Sequence, residues 1–298
     1  MIQWYPGHMA KAKRILKDDL KLVDIIIEVA DARVPLSSLN PDLRKLINEQ
    51  SKVTVLNKKD LADSEYNQKW INYFEKETDE DAVLLNSLTG EGVSELKSIL
   101  NNTYDQIASK LAQKGRNPRR LRAMIIGIPN VGKSALINLL AGSNITTIGN
   151  KPGVTKGRQW VNVSKKIRLL DTPGILWPKF SDEDKAYKLA LTGAVDNDIF
   201  DAELAAYKLI DFIIEINEDI LLDAYDLDYL EPLAYDILAD IGRKRGCLMT
   251  GGKVDRNRAA GVVVNDFRDG KLGRITLEKP SESAELKVET DDEEWSRF

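Results

Sequence analysis

Five short segments hold residue types that can do chemistry together. Gly127-Ile-Pro-Asn-Val-Gly-Lys-Ser134 sets two glycines before Lys-Ser. Glycines let backbone N–H groups turn inward around phosphate oxygens. Asn130, Val131, Gly132 and Ala135 belong to that cradle. Lys133 supplies a cation between the β- and γ-phosphates, and Ser134 offers a hydroxyl to Mg2+. The helix that follows points its positive end at the anion. Downstream, Asp171-Thr-Pro-Gly174 closes an apolar run. A strand-end Asp171 can hold Mg2+ through water, and the Gly174 N–H can sense a γ-phosphate. Thr155, in Pro152-Gly-Val-Thr155, is the expected second hydroxyl ligand. The fourth segment is Asn57-Lys-Lys-Asp60. A carboxylate at Asp60 accepts two hydrogen bonds from the N1–H and 2-amino group of guanine. Adenine has no such pair of donors, so the wrong base leaves a buried acceptor unpaired. The aliphatic stem of Lys58 can lie over the purine ring. Asn86-Ser87, after another apolar run, presents a loop whose N–H reads the guanine O6.

These segments need strands and helices to bring them together. Buried strands are expected over 24–33, 52–60, 82–87 and 123–128, two more over 159–163 and 167–171, and helices over 8–20, 41–49, 92–112 and 133–141. Their alternation predicts an α/β sheet with helices on both faces. After Pro178 the period becomes helical: 182–192, 201–216, 218–223, 230–245 and 255–268. The expected organisation is a nucleotide-binding domain over 1–177 and a small all-helical domain over 178–280. Residues 271–278 read as a terminal strand or an extended tail, and 281–298 as an acidic disordered tail.

The order of the motifs is informative. The base-reading segments Asn57–Asp60 and Ser87 precede the phosphate loop and Asp171–Gly174, the reverse of the usual order. Moving the chain ends by circular permutation leaves such a sheet intact. The stretches WYPGHMAKA, DARVPLSSLNP, NKKD, GIPNVGKS, PGVT, DTPG and RKRGCLMTGGKVDRNRAA resemble the circularly permuted GTPases of the ribosome biogenesis GTPase A (YlqF) type. The resemblance runs to about residue 279. It implies a P-loop GTPase with GTP/GDP and Mg2+, acting in late assembly of the large ribosomal subunit. The GTP form would bind a precursor and its rRNA, and hydrolysis would release it. A nucleotide-gated RNA-binding switch acting by occupancy is the alternative. A metabolic phosphotransferase is disfavoured by Asn57–Asp60.

The chain has one histidine, His8. Alone near a chain end, it reads as a solvated side chain. Permutation changes that, because the N-terminal segment starts where the chain after Asp171–Gly174 would have run. Ile175 follows Gly174 and cannot orient a water. The resemblance therefore implies that His8 is the catalytic group. It also implies that Asn130 coordinates K+, which would stabilise transition-state charge, and that Arg243, Lys244, Arg245, Lys253, Arg256 and Arg258, with Arg268, Lys271 and Arg274, form an rRNA-binding surface. From charge alone the same run reads as a solvated face.

The net charge of −4 conceals segregation: residues 1–177 carry +8, 178–240 carry −13, 241–280 carry +6 and 281–298 carry −5. Two basic surfaces could hold a polyanion. The single cysteine, Cys247, excludes an internal disulfide and fits a reducing cytosol. No apolar run approaches the roughly 20 residues of a membrane helix, and no signal-like apolar core opens the chain. A cytoplasmic, monomeric protein with no membrane partner is expected.

Overall fold

The computed structural model describes residues 14–40, 46–47, 50–78, 80–142, 159–171, 183–195 and 200–280. His8, Thr155, Gly174 and Ile175 lie outside the described residues. So do most of the expected helix over 41–49 and the acidic tail.

Six strands form one sheet: β1 (Ile25–Asp31), β2 (Ser51–Asn57), β3 (Asp81–Leu85), β4 (Leu121–Ile126), β5 (Gln159–Asn162) and β6 (Ile167–Asp171). Their spatial order is β3-β2-β1-β4-β6-β5. All pairings are parallel except β5 with β6. The central strand β1 is buried at every position, as a strand covered on both faces must be. Its alternation sorts two cores. Ile25, Ile27 and Val29 join one cluster with Leu96 and Leu100 of α2 (Val93–Gln113) and Leu136, Ile137 and Leu140 of α3 (Lys133–Ala141). Ile26 points to the other face, where it packs with Met124 and with Leu16 and Leu20 of the helical segment over 14–20.

One helix escaped the sequence reading. α1 (Ser64–Glu77) joins β2 to β3 and buries Trp70, Tyr73 and Phe74. Its signal was local: Asp63 caps the first turn by accepting from the Glu65 and Tyr66 amides at 2.7 and 3.1 Å, and Trp70 and Phe74 stand four apart. Burying two such aromatic side chains contributes about 3–6 kcal/mol.

The remaining helices are α4 (Glu183–Leu191), α5 (Ala202–Ile216), α6 (Asp219–Tyr225), α7 (Ala234–Lys244) and α8 (Arg256–Arg268). Asp201 and Asp255 cap α5 and α8, each accepting from the amide three residues on. α7 begins four residues later than the periodicity placed it. Leu209, Ile213, Ile237, Ile241, Val263 and Phe267 make a core of their own, which also takes in Val34. α4 serves both units: Leu189 packs into the sheet's core and Leu191 into the helical one.

Residues 271–279 form no strand. After a turn at 271–272 they run as a strap over the loops that follow β1 and β2 and over α1. The Ile275 amide donates to the Leu61 carbonyl at 3.1 Å and the Leu277 amide to the Arg33 carbonyl at 2.8 Å. The Trp70 indole donates to the Glu278 carbonyl at 3.1 Å. The Glu278 carboxylate accepts from the Leu36 amide at 2.7 Å, and from the Ser37 amide and hydroxyl. No helix among the described residues is long and apolar enough to cross a membrane.

Candidate nucleotide-binding site

Parallel strands end together, so the loops after β1, β2, β3, β4 and β6 gather at one edge of the sheet. The register puts Asp31 beside Asn57 and Ile125 beside Asp171. The loop after β4 is Gly127–Ser134. It turns at Gly127 with φ 151°, at Asn130 with φ 61° and at Gly132 with φ 100°. Both glycines also answer to close approach. A Cβ on Gly127 would stand 2.5 Å from the Val29 carbonyl oxygen, and one on Gly132 would stand 2.2 Å from Asn57 Nδ2. Asn130, outside the favoured region for most side chains, is of a type that tolerates it.

Lys133 opens α3 and is buried at 8% exposure. Its ammonium donates to the Ile128 carbonyl at 2.7 Å. Burial pushes its pKa down to about 8, against the nearby Asp171 charge, which favours the protonated form. Ser134 lies in the same first turn, and Asp171, 1% exposed, ends β6. One hydroxyl and one carboxylate at a phosphate loop fit Mg2+, an ion that keeps waters and phosphate oxygens as its other ligands. Among the described residues no group of three or more His, Cys, Asp or Glu side chains could hold a metal.

Asn57 is fully buried at the end of β2. Its Nδ2 donates to the Val131 carbonyl at 2.7 Å and to Ser87 Oγ at 3.1 Å, while its Oδ1 accepts from the Ser87 amide at 3.0 Å. Asn57 therefore ties the phosphate loop, the base segment and the loop after β3 to one another. The Ser87 amide is spent on Asn57; the guanine O6 was expected to meet a backbone N–H of the loop that Ser87 presents. Asn86 turns the same loop by accepting from the Leu88 and Thr89 amides at 2.9 and 3.2 Å. Lys58 has φ 61°, a conformation that costs a non-glycine residue about 1–3 kcal/mol. Its ammonium is paired with Asp31 at 2.9 Å. Asp60 is half-buried on the turn beyond.

The sequence reading missed Asp31 and Arg33. Arg33 grips Asp31 with Nε at 3.0 Å and Nη2 at 2.9 Å. Its Nη1 donates to the Phe267 carbonyl at 3.4 Å, and its plane lies over the Phe267 ring. Burial disfavours the Asp31 carboxylate, but the Arg33 and Lys58 charges outweigh it and hold the pKa well below the usual carboxylate range.

The helical unit touches the phosphate loop directly: Asn130 Nδ2 donates to the Gly193 carbonyl at 2.6 Å. Arg268 sits behind Gly193 and donates to the carbonyls of Ala190 and Leu191 at 2.6 and 3.0 Å. This corrects its expected place in the basic surface, because its guanidinium closes the C-terminal end of α4. The other late basic residues are exposed or half-buried. Arg243 pairs with Asp240, Lys244 with Asp226 at 3.0 Å and Arg245 with Asp266 at 3.3 Å. Arg256 lies 3.7 Å over the Tyr235 ring. The Arg258 amide meets the Asp255 cap at 3.0 Å, and Lys253 is exposed beside Gly252.

A phosphate loop after one central strand, a base segment after its neighbour-but-one and a permuted order of the two define a circularly permuted P-loop GTPase. A family model described as 50S ribosome-binding GTPase matches residues 122–231. Ribosome biogenesis GTPase A of Bacillus cereus is 43% identical over 285 residues, covering 96% of each chain. The same-named protein of Thermotoga maritima is 32% identical over 296 residues, covering 97% of this chain and 98% of its own. The GDP-bound structure of TM YlqF superposes with a TM-score of 0.62 at 27% identity, covering 90% of this chain and 99% of that one. The chain belongs to the ribosome biogenesis GTPase A family, and it binds and hydrolyses GTP.

Proposed function

We propose that this GTPase is an assembly factor of the large ribosomal subunit. Its GTP form engages a late precursor and its rRNA, and hydrolysis releases it. The observation that carries this reading is the Asn130–Gly193 hydrogen bond at 2.6 Å. It joins the phosphate loop to the helical unit without an intervening relay, so a change at the phosphates reaches that unit at once. The names of the relatives, which speak of ribosome biogenesis, support the choice of partner.

In this reading Asp60 recognises guanine, and the loop at Asn86–Ser87 borders the base. Lys133 neutralises phosphate charge, and Ser134, Thr155 and Asp171 hold Mg2+, which shields the β- and γ-phosphates. Asn130 takes K+, Gly174 senses the γ-phosphate, and His8 orients the attacking water. Arg243, Lys244, Arg245, Lys253, Arg256 and Arg258 contact rRNA phosphates. The functional units are 1–177 and 178–280, and the protein acts in the cytoplasm as a monomer.

The test is GTP turnover in K+ buffer with and without purified large ribosomal subunits. A partner-driven rise of about 10³-fold or more is expected, and His8→Ala should remove it while leaving nucleotide binding intact. No rise with any large-subunit preparation would overturn the reading.

A further inference from the structure

Lys58 has an unusual setting for a base-contacting residue. Its backbone is left-handed, at φ 61°, so its side chain leaves the chain in a direction ordinary extended backbone would not give. The ammonium crosses to the next strand and meets Asp31 Oδ2 at 2.9 Å. Asp31 is the register partner of Asn57. Its carboxylate is almost completely buried, and Arg33 grips both of its oxygens, Nε on Oδ1 at 3.0 Å and Nη2 on Oδ2 at 2.9 Å, so Lys58 and Arg33 share Oδ2. The Asp31 amide is itself fixed by Ser38 Oγ at 2.9 Å, and Asp31 Oδ1 also accepts the Arg33 amide at 3.1 Å. This carboxylate has no freedom to move. A flexible lysine would lose much rotamer entropy on being held against a base, and an anchor at its far end removes that loss beforehand.

We infer that Asp31 is the positioning residue of the base site: its carboxylate anchors the Lys58 ammonium, so that the Lys58 stem stands as a preformed wall for the purine, with Arg33 fixing the carboxylate against the end of α8. The inference rests on reading Asn57–Asp60 as the guanine segment. Asp31 touches no nucleotide in this arrangement and acts only through Lys58. An alternative role for Asp31, the neutralisation of buried Arg33 alone, makes a different prediction.

The experiment is a double-mutant cycle on the full chain, read by equilibrium binding of a fluorescent GDP derivative and by GTP turnover. Asp31→Asn should weaken GDP and GTP binding about tenfold and raise KM, with kcat within about twofold of the parent. In the Lys58→Met background the same substitution should cost less than about twofold. Equal losses in both backgrounds, or no loss in either, overturn the inference, because neutralising Arg33 does not depend on Lys58. If Asp31→Asn fails to fold, two substitutions at Lys58 decide. Lys58→Arg, which can rebuild the pair, should bind within about threefold of the parent, while Lys58→Met should bind about tenfold weaker. Equal binding by the two overturns it. Asp60→Asn tests the underlying reading separately, since it should exchange guanine for xanthine preference. If that exchange occurs and the cycle is additive, only the Asp31 inference fails. If the exchange does not occur, the base assignment itself fails.

Discussion

Asn57 and Val131 lie 74 positions apart in the chain and are joined by a hydrogen bond of 2.7 Å that the Asn57 side-chain Nδ2 donates to the Val131 carbonyl. This bond crosses from the base segment to the phosphate loop. It explains why the loop must carry glycine at 132, where a Cβ would stand 2.2 Å from the same amide nitrogen. Each half of the nucleotide site is thus shaped by the other.

Gly132→Ala should be among the most damaging substitutions in the loop. It meets both a steric conflict with Asn57 and a φ of 100° that an L side chain resists. The expected outcome is a loss of nucleotide affinity of at least about 100-fold, equivalent to about 2.7 kcal/mol. Titration with a fluorescent GDP derivative measures it, and affinity within a few-fold of the parent would contradict the geometry.

Asn57→Ala removes three hydrogen bonds at a fully buried position and strands the Val131 carbonyl and the Ser87 amide. The cost should be about 2–4 kcal/mol of folding stability. Urea unfolding without nucleotide reads this directly and keeps it distinct from lost ligand stabilisation.

Lys133 supplies a pH signature. Its pKa in the fold is pushed down to about 8 from 10.5, chiefly by burial. Between these values the unfolded chain holds more protons than the folded one, so this residue makes stability rise with pH from about 8 to 10.5. Below pH 8 the fold bears the cost of a buried cation. Lys133→Met should therefore stabilise the nucleotide-free protein at pH 7 by about 1–2 kcal/mol, allowing for its lost bond to Ile128. The gain should shrink by pH 10.5, and phosphate binding should be lost. Thermal unfolding across pH 7–10.5 checks the sign, and a gain that grows with pH would refute it.

Arg268→Gln separates a cap from a nucleic-acid contact. The guanidinium holds the Ala190 and Leu191 carbonyls at the end of α4. Its loss should cost about 1–2 kcal/mol in stability. If RNA binds as proposed, its salt slope should not change, whereas Lys253→Ala, at a proposed phosphate contact, should lower that slope by about one.

Much of the site was legible in local spacing. Gly127–Ser134 and Asn57–Asp60 follow runs of apolar residues that become β4 and β2, and a strand followed by a glycine loop and a helix is specified within about 20 residues of chain. The permuted order of these segments was also plain, because the sheet does not depend on where the chain is cut. α1 was missed because Trp70 and Phe74 lie among polar neighbours, and the Asp63 cap is a short-range signal that is easily read as a turn.

What the sequence by itself determined is the chemistry on offer: a phosphate loop, a carboxylate able to read guanine, and the strands that end beneath them. These depend on residue type and on contacts within a few positions. Only the tertiary structure decided how the basic residues divide. Arg33, Arg268 and Lys271 look alike in a charge count, yet Arg33 backs the Asp31–Lys58 pair, Arg268 caps α4 and Lys271 neutralises Asp266 at 3.0 Å. Their partners lie from two to 235 positions away, and Glu278 reaches Leu36 across 242. Contacts of that span are set by how the sheet and helices pack, because burial lets only a paired charge remain inside, and the pairing exists only once both elements are in place.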